Sequence, residues 1–217
     1  MVNNSNEQNL AHRIIVDLIP ENSIVLDLGC GSGELLKALQ IKKKIIGRGV
    51  EINENMVIEC LRKGLSVFQG NIDEGLKEYP DNSYDYVILN QTLQSIHNIG
   101  LVLSEMLRVG RNAIVGIPNF AHWKIRVSLG FKGILPQPNG SSSTTLNARP
   151  TTLDSIIRLV TVKQLKNMCA KMNISISQQF YLAHNNNLVF PKTAFPNLFS
   201  ENAIFVLGVR SCHVFWR

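Results

Sequence analysis

The sequence predicts an α/β fold in which a seven-stranded, mostly parallel sheet carries helices on both faces. Three observations predict it. From Ile24 onward short apolar runs alternate with stretches of helical periodicity, a turn with glycines at 29, 31 and 33 follows the first run, and an acidic residue, Glu51, closes the second. Such alternation marks βαβ units, whose parallel strands are joined by crossovers. The chain has 217 residues, room for one well-packed domain, since a chain of that size buries roughly 70% of the surface its unfolded form exposes. A single domain over 1–217 is expected.

Taken in order, residues 6–19 place Leu10, Ile14, Ile15, Leu18 and Ile19 at helical spacing, ended by Pro20; they read as an amphipathic helix packed on the sheet. Strands are expected at 24–28, 45–51, 66–69, 84–90, 113–117, 174–182 and 203–209, with helices at 34–40, 54–63, 100–108 and 162–172. Between 131 and 155 the periodicity stops. Pro136, Pro138, Gly140 and the Ser141–Thr145 run read there as a long loop, a lid or flexible segment of the sort that is usually functional. In a doubly wound sheet ligands bind outside the carboxyl ends of the strands, so those ends are where site residues are sought.

Composition narrows the function classes. Hydrophobic residues make up 45% and charged residues 18%, which fits a folded globular chain and not a disordered one. Cys30, Cys60, Cys169 and Cys212 form no C-x-x-C pair, so no metal site and no disulfide framework is expected. There is no signal-like leader and no apolar run long enough for a membrane span, which points to a cytoplasmic protein with no membrane association. The net charge is +6, yet the only tight basic cluster, Lys42-Lys43-Lys44, sits where a helix should end, and cations are ordinary there. Nucleic acid is therefore not the expected partner.

The stretch from Val25 to Gly33, apolar strand into glycine loop into helix, carries most of the chemical information. Glycines allow a tight turn and a close approach of backbone to ligand, and the following helix offers free N–H groups. Glycines at 29, 31 and 33 preceded by Asp27 depart from the dinucleotide G-x-G-x-x-G spacing. Glu51 lies eighteen positions beyond Gly33, about where a carboxylate binds a ribose diol, although an acidic residue there can equally cap the next helix. At the end of the fourth strand, Asn90 and Gln91 would emerge at the carboxyl edge. After the fifth, Asn119, His122 and Trp123 would form a wall facing a substrate. His122 reads either as a base or as a buried structural group, and Trp123 as core or interface.

The loop resembles motif I of class I methyltransferases, which implies a Rossmann-like three-layer sandwich and S-adenosylmethionine as cofactor. By that resemblance Asp27, Gly29, Cys30, Gly31 and Gly33 surround the methionine part, and Glu51 holds the ribose. Asn71 and Ile72 lie at the adenine, with Asn71 standing where an acidic acceptor is common and Asp73 a poorer substitute; Asn90 lies near the methyl group. The chain has no Asn-Pro-Pro-Tyr tetrapeptide at the fourth strand, which argues against the familiar base and glutamine N-methyltransferases.

More specifically, VLDLGCGSGELL, GVEI, QGNIDEGL, YDYVILNQTLQ, VLSEMLRVG and AIVGIPNFAHWKIR, in this order, resemble the MetW family of methionine-biosynthesis proteins. The resemblance implies an accessory or regulatory partner of homoserine O-acyltransferase, sensing S-adenosylmethionine. The alternative is a methyltransferase whose acceptor faces Asn90, Gln91, Asn119 and His122. RNA methylation ranks behind both, since only net charge speaks for it. The chain departs from the family before its last helix, where a Ser/Thr/Asn-rich stretch replaces an expected aromatic segment.

Overall fold

A computed structural model of the chain describes residues 3–133, 159–183 and 195–209. The helices are α1 (Asn3–Leu18), α2 (Glu34–Lys43), α3 (Glu54–Arg62), α4 (Ile99–Val109), α5 (Trp123–Lys132), α6 (Val162–Lys171) and α7 (Pro196–Phe199). The strands are β1 (Ile24–Leu28), β2 (Ile46–Glu51), β3 (Ser66–Gln69), β4 (Tyr84–Asn90), β5 (Gly110–Pro118), β6 (Ile174–Leu182) and β7 (Asn202–Val209). They form one sheet in the order β3-β2-β1-β4-β5-β7-β6. β1 to β5 run parallel, and β7 is antiparallel to both β5 and β6. The chain therefore has the expected α/β architecture, with the order of strands reversing between β1 and β4, next to the glycine loop.

Alternation along the strands sends successive side chains to opposite layers. Val25, Ile88, Ile114 and Ile204 pack with Ile15, Leu36 and Leu39 beneath α1 and α2. Leu26, Leu28, Leu89 and Phe205 pack with Leu103, Met106 and Leu165 beneath α4 and α6. Each such buried side chain contributes about 1.5–3 kcal/mol. Caps set the helix starts: Asn53 accepts from the N–H groups of Asn55 and Met56, and Thr161 and Gln164 form a reciprocal capping box. Lys42 and Lys43 lie in the last turn of α2, and Lys44, in a left-handed conformation, donates its N–H to Gln40 to close it. The basic cluster thus caps a helix.

Several elements differ from their expected bounds. β5 begins at Gly110 rather than 113 because Arg111 and Asn112, polar and loop-like in sequence, still pair with β4. α5 was not expected at all: Trp123, Val127, Leu129 and Phe131 are 44–87% exposed, so the helix presents no apolar stripe to the core. The nitrogen Nδ1 of His122 caps it, and Gly133 ends it at φ 63°. The last turn of α5 occupies the start of the loop expected over 131–155; the rest of that loop lies outside the described residues.

Candidate functional site

The glycine loop leaves β1 and enters α2 with Gly29, Gly31 and Gly33 all at positive φ, 68°, 54° and 77°. At Gly29 there is also no space. A Cβ there would come within 2.5 Å of the Thr92 methyl and 2.6 Å of its hydroxyl. A Cβ on Gly31 would meet nothing within 4 Å, so the backbone at this point borders open space. Lys63 holds the loop from behind, donating to the Ser32 carbonyl at 2.7 Å and to Glu34 at 2.6 Å, and the Cys60 thiol donates to the Gly31 carbonyl at 3.1 Å.

Glu51 ties the loop to the next crossover. Its Oε2 accepts from Gly31 N–H at 2.8 Å, and its Oε1 accepts from the N–H groups of Ile52 and Asn53 at 3.0 and 2.9 Å. A carboxylate has about four lone-pair positions, so one on Oε2 remains for a ligand. Asp27 is 2% exposed; burial, and then repulsion by Glu51, pushes its carboxyl up to about 7. Burial and the neighbouring Asp27 likewise push the Cys30 thiol up, leaving it a protonated, unreactive wall of the loop.

Two joined cavities open at these strand ends. One, of about 550 Å³, is lined by Glu51, Ile52, Asn71, Ile72 and His97 among others, and the other, of about 230 Å³, by His12, Asp27, Gly31, Glu34 and Asn90. Gly29 and Gln91 border both. Gln91 itself sits at φ 55°, its N–H donated to the Gly116 carbonyl, with the Gln94 amide donating to its own carbonyl. The Asn90 amide oxygen is buried without a hydrogen-bond partner, an arrangement that costs free energy unless a donor arrives.

Three of the residues on this edge have other duties. Asn71 caps a short 3₁₀ turn (Ile72–Glu74), its Oδ1 accepting from Asp73 N–H and its amide donating to Glu74. Asp73 accepts from the backbone N–H groups of His97 and Asn98 and pairs with the His97 ring at 3.0 Å. Burial works against its charge, but these hydrogen bonds prevail and hold its carboxyl below the usual range. Glu34, besides lining the smaller cavity, is bound to Lys63.

Asn119 and His122, expected to face an acceptor, point elsewhere. Asn119 is 1% exposed: its amide donates to the carbonyls of Asn197 and Ser200, and its oxygen accepts from Ala121 and Val162 N–H groups. It fastens α6 and α7 to the end of β5. His122 is 4% exposed, caps α5 through Nδ1, and holds Nε2 3.8 Å from Glu201. Neither lines either cavity. Trp123 is 44% exposed and stacks obliquely on His122. The sequence placed this segment at the correct edge but held no information on which way α7 would cross it.

Conversely, His12 and Ile52 line the cavities without any sign of it in the sequence pattern. Ile52 follows Glu51 and is 64% exposed, the one local sign that it forms a cavity wall and not core. His12 comes from α1, far away in sequence; burial, partly opposed by Glu34, pulls its imidazole below the usual value and keeps it neutral near pH 7. No cluster of metal-ligating groups occurs among the described residues, and no helix among them is long and apolar enough to cross a membrane.

Fold and loop define a methyltransferase-like class. The chain matches an S-adenosylmethionine-dependent methyltransferase of Archaeoglobus fulgidus over 92% of its length and 93% of that chain, at 18% identity and TM-score 0.62. It matches magnesium protoporphyrin IX methyltransferase of Synechocystis, solved with bound S-adenosylhomocysteine, over 94% and 82%, at 15% identity and TM-score 0.61. Within that class the chain belongs to the family of methionine biosynthesis protein MetW, whose family model matches residues 9–207. It is 30% identical to the bifunctional methionine biosynthesis protein MetXA/MetW of Rhodopirellula baltica over 204 residues, 90% of this chain. The chain spans 32% of that relative's length. It is also 29% identical to a demethylmenaquinone methyltransferase of Listeria monocytogenes, over 54% of this chain and 55% of that protein.

Proposed function

We propose that this chain binds S-adenosylmethionine across the two joined cavities and serves methionine biosynthesis as an accessory, regulatory partner of homoserine O-acyltransferase. The carrying observation is the Glu51 carboxylate, which holds Gly31 N–H across the loop and keeps one acceptor position toward the larger cavity. That position suits a ribose hydroxyl. Ile52 and Ile72 offer apolar walls to an adenine ring, with Asn71 beside them. Gly29, Cys30, Gly31 and Asp27 line the smaller cavity, where the cationic amino-acid end would lie, whereas Gly33, expected beside them, starts α2 and faces Leu65 and Cys60. A cation there favours the ionised form of Asp27, which burial alone disfavours. The unpartnered Asn90 oxygen offers an acceptor at the same wall. When bound, this group supplies a methyl on a sulfonium; the residues just named bind and orient it.

The partner is suggested by the Rhodopirellula relative, whose name joins MetXA and MetW in one chain. S-adenosylmethionine is made from methionine, so a chain that binds both it and an early enzyme of the pathway couples end product to flux. Linkage then requires that the partner change cofactor affinity by the same factor as cofactor changes partner affinity. A second reading, methyl transfer to an acceptor of its own, is favoured by His12, a neutral imidazole at the smaller cavity able to accept a proton from an O–H or N–H acceptor. The fold does not decide between them, because a chain named as a [4+2]-cyclase shares it at TM-score 0.61.

The test is calorimetric titration with S-adenosylmethionine, followed by acyltransferase activity with and without this protein and with and without the cofactor. Binding together with a cofactor-dependent change in acyltransferase activity is expected. Binding with no effect on the acyltransferase, and S-adenosylhomocysteine released with an acceptor, would favour the second reading.

A further inference from the structure

A further large depression lies away from the carboxyl edge. It has a volume of about 630 Å³ and lies over the β2–β3 end of the sheet, on the α4 and α6 side. Parallel sheets are almost always covered on both faces. Here α1, α2 and α3 pack on one face, whereas on the other, among the described residues, α4 packs on β4, β5 and β7 and α6 on β6, which leaves β2 and β3 without a helix. The cause is the β3-to-β4 crossover. Such a connection usually carries a helix, but residues 70–83 contain only the turn Ile72–Glu74. Arg108 pins that helix-less stretch to α4, donating to the carbonyls of Leu76 and Tyr79 and to Glu105 and Asp81.

What the described residues leave uncovered is largely apolar and ordered by register. Ile24 pairs with Ile46, Arg48 with Ser66 and Val50 with Phe68. All therefore share one face, and Ile24, Ile46 and Phe68 are 39%, 64% and 56% exposed. The Arg48 side chain stands exposed among them, acting electrostatically on Tyr79 but with no side-chain hydrogen bond or ion pair to a described residue. Glu78 lines the same depression.

We infer that this face docks an amphipathic helix of homoserine O-acyltransferase, one that lays apolar side chains on Ile46 and Phe68 and a carboxylate on Arg48. This rests on the partnership proposed above. A helix fits because the sheet lacks one layer at this place, and apolar side chains with a lone cation ask for apolar side chains with an anion. A second copy fits worse, since a twofold contact centred here would set Arg48 against Arg48. The partner in question is also the one that the Rhodopirellula relative carries on its own chain, where tethering keeps the two at high effective concentration.

Affinity of the full-length chain for its cognate homoserine O-acyltransferase, measured by calorimetry, tests the inference. Phe68→Asp and Arg48→Glu should each weaken it at least about tenfold, the scale of a central interface residue. Leu61→Asp, on exposed α3 across the sheet, should leave it unchanged, and all three should keep S-adenosylmethionine affinity within about twofold of wild type. If the wild-type pair binds and both face variants bind as tightly, the partner docks elsewhere and the inference falls while the proposed function stands. If the chain forms dimers that Phe68→Asp dissociates, the face belongs to a second copy and the inference is equally overturned. Failure of the wild-type pair to bind would remove the partnership itself, and the inference with it.

Discussion

At the ends of β1 and β2 polar groups converge on open space; at the ends of β5 and β7 polar groups of similar kinds converge on one another. Gly31, Asp27 and Glu51 border cavities, whereas Asn119 spends its amide on Asn197, Ser200, Ala121 and Val162. The first region is built from backbone geometry that glycines dictate locally. The second is built from side chains whose partners include residues far along the chain, as the 81-residue separation of Asn119 and Ser200 shows. An amide at a strand end is thus as ready to fasten the fold as to meet a ligand, and only its partners tell which.

The sharpest break of this comparison is Asn119→Ala. It removes the partner of the buried Ser200 carbonyl, of the half-buried Asn197 carbonyl and of two N–H groups, and should cost about 3 kcal/mol of stability in urea unfolding, with S-adenosylmethionine affinity within about twofold of wild type. A loss of affinity at unchanged stability would return Asn119 to the ligand site. Next comes Glu51→Ala, which removes both the ribose acceptor and the anchor of Gly31. Affinity should fall about thirtyfold, roughly 2 kcal/mol, as for a charge-assisted hydrogen bond. An unchanged titration would place the ligand elsewhere.

Asp27 supplies a pH test. Its folded carboxyl lies near 7 against 3.8 ordinarily, so the folded protein holds a proton that the unfolded chain has lost. Its contribution to stability is therefore greatest at low pH and declines as pH rises from about 4 through 7. A cationic ligand prefers the ionised form, so affinity should rise by up to about tenfold between pH 6 and 8, about half of that span being covered by pH 7, and level off above. Asp27→Asn should flatten that rise; a slope that persists in the variant would assign it to another group. The smallest effect belongs to His122→Ala. Loss of the α5 cap should cost about 1 kcal/mol, with no change in cofactor affinity measured by calorimetry.

Legibility followed the same divide. Six of the seven strands were expected within one residue of their observed ends, because apolar runs bounded by turns report burial directly; β5 started earlier because Arg111 and Asn112 pair as strand while facing outward. The glycine loop and Glu51 were legible because their spacing is short. α5 was not, its apolar residues being exposed and without a core-facing stripe. Nor was His12 at the cavity, since nothing in the sequence of α1 says that it leans over the loop of β1.

By itself, then, the amino-acid sequence determined the layering, the parallel order of helix and strand, the positive-φ turn and the acidic residue poised beside it, all set by periodicity and by the steric needs of nearby residues. Only the tertiary structure decided that Asn119 and His122 turn inward, that His12 joins the site, and that Ile46, Arg48 and Phe68 lie bare. These depend on contacts between distant segments, and on a crossover too short of helix to cover its own sheet; neither leaves a local mark in the chain.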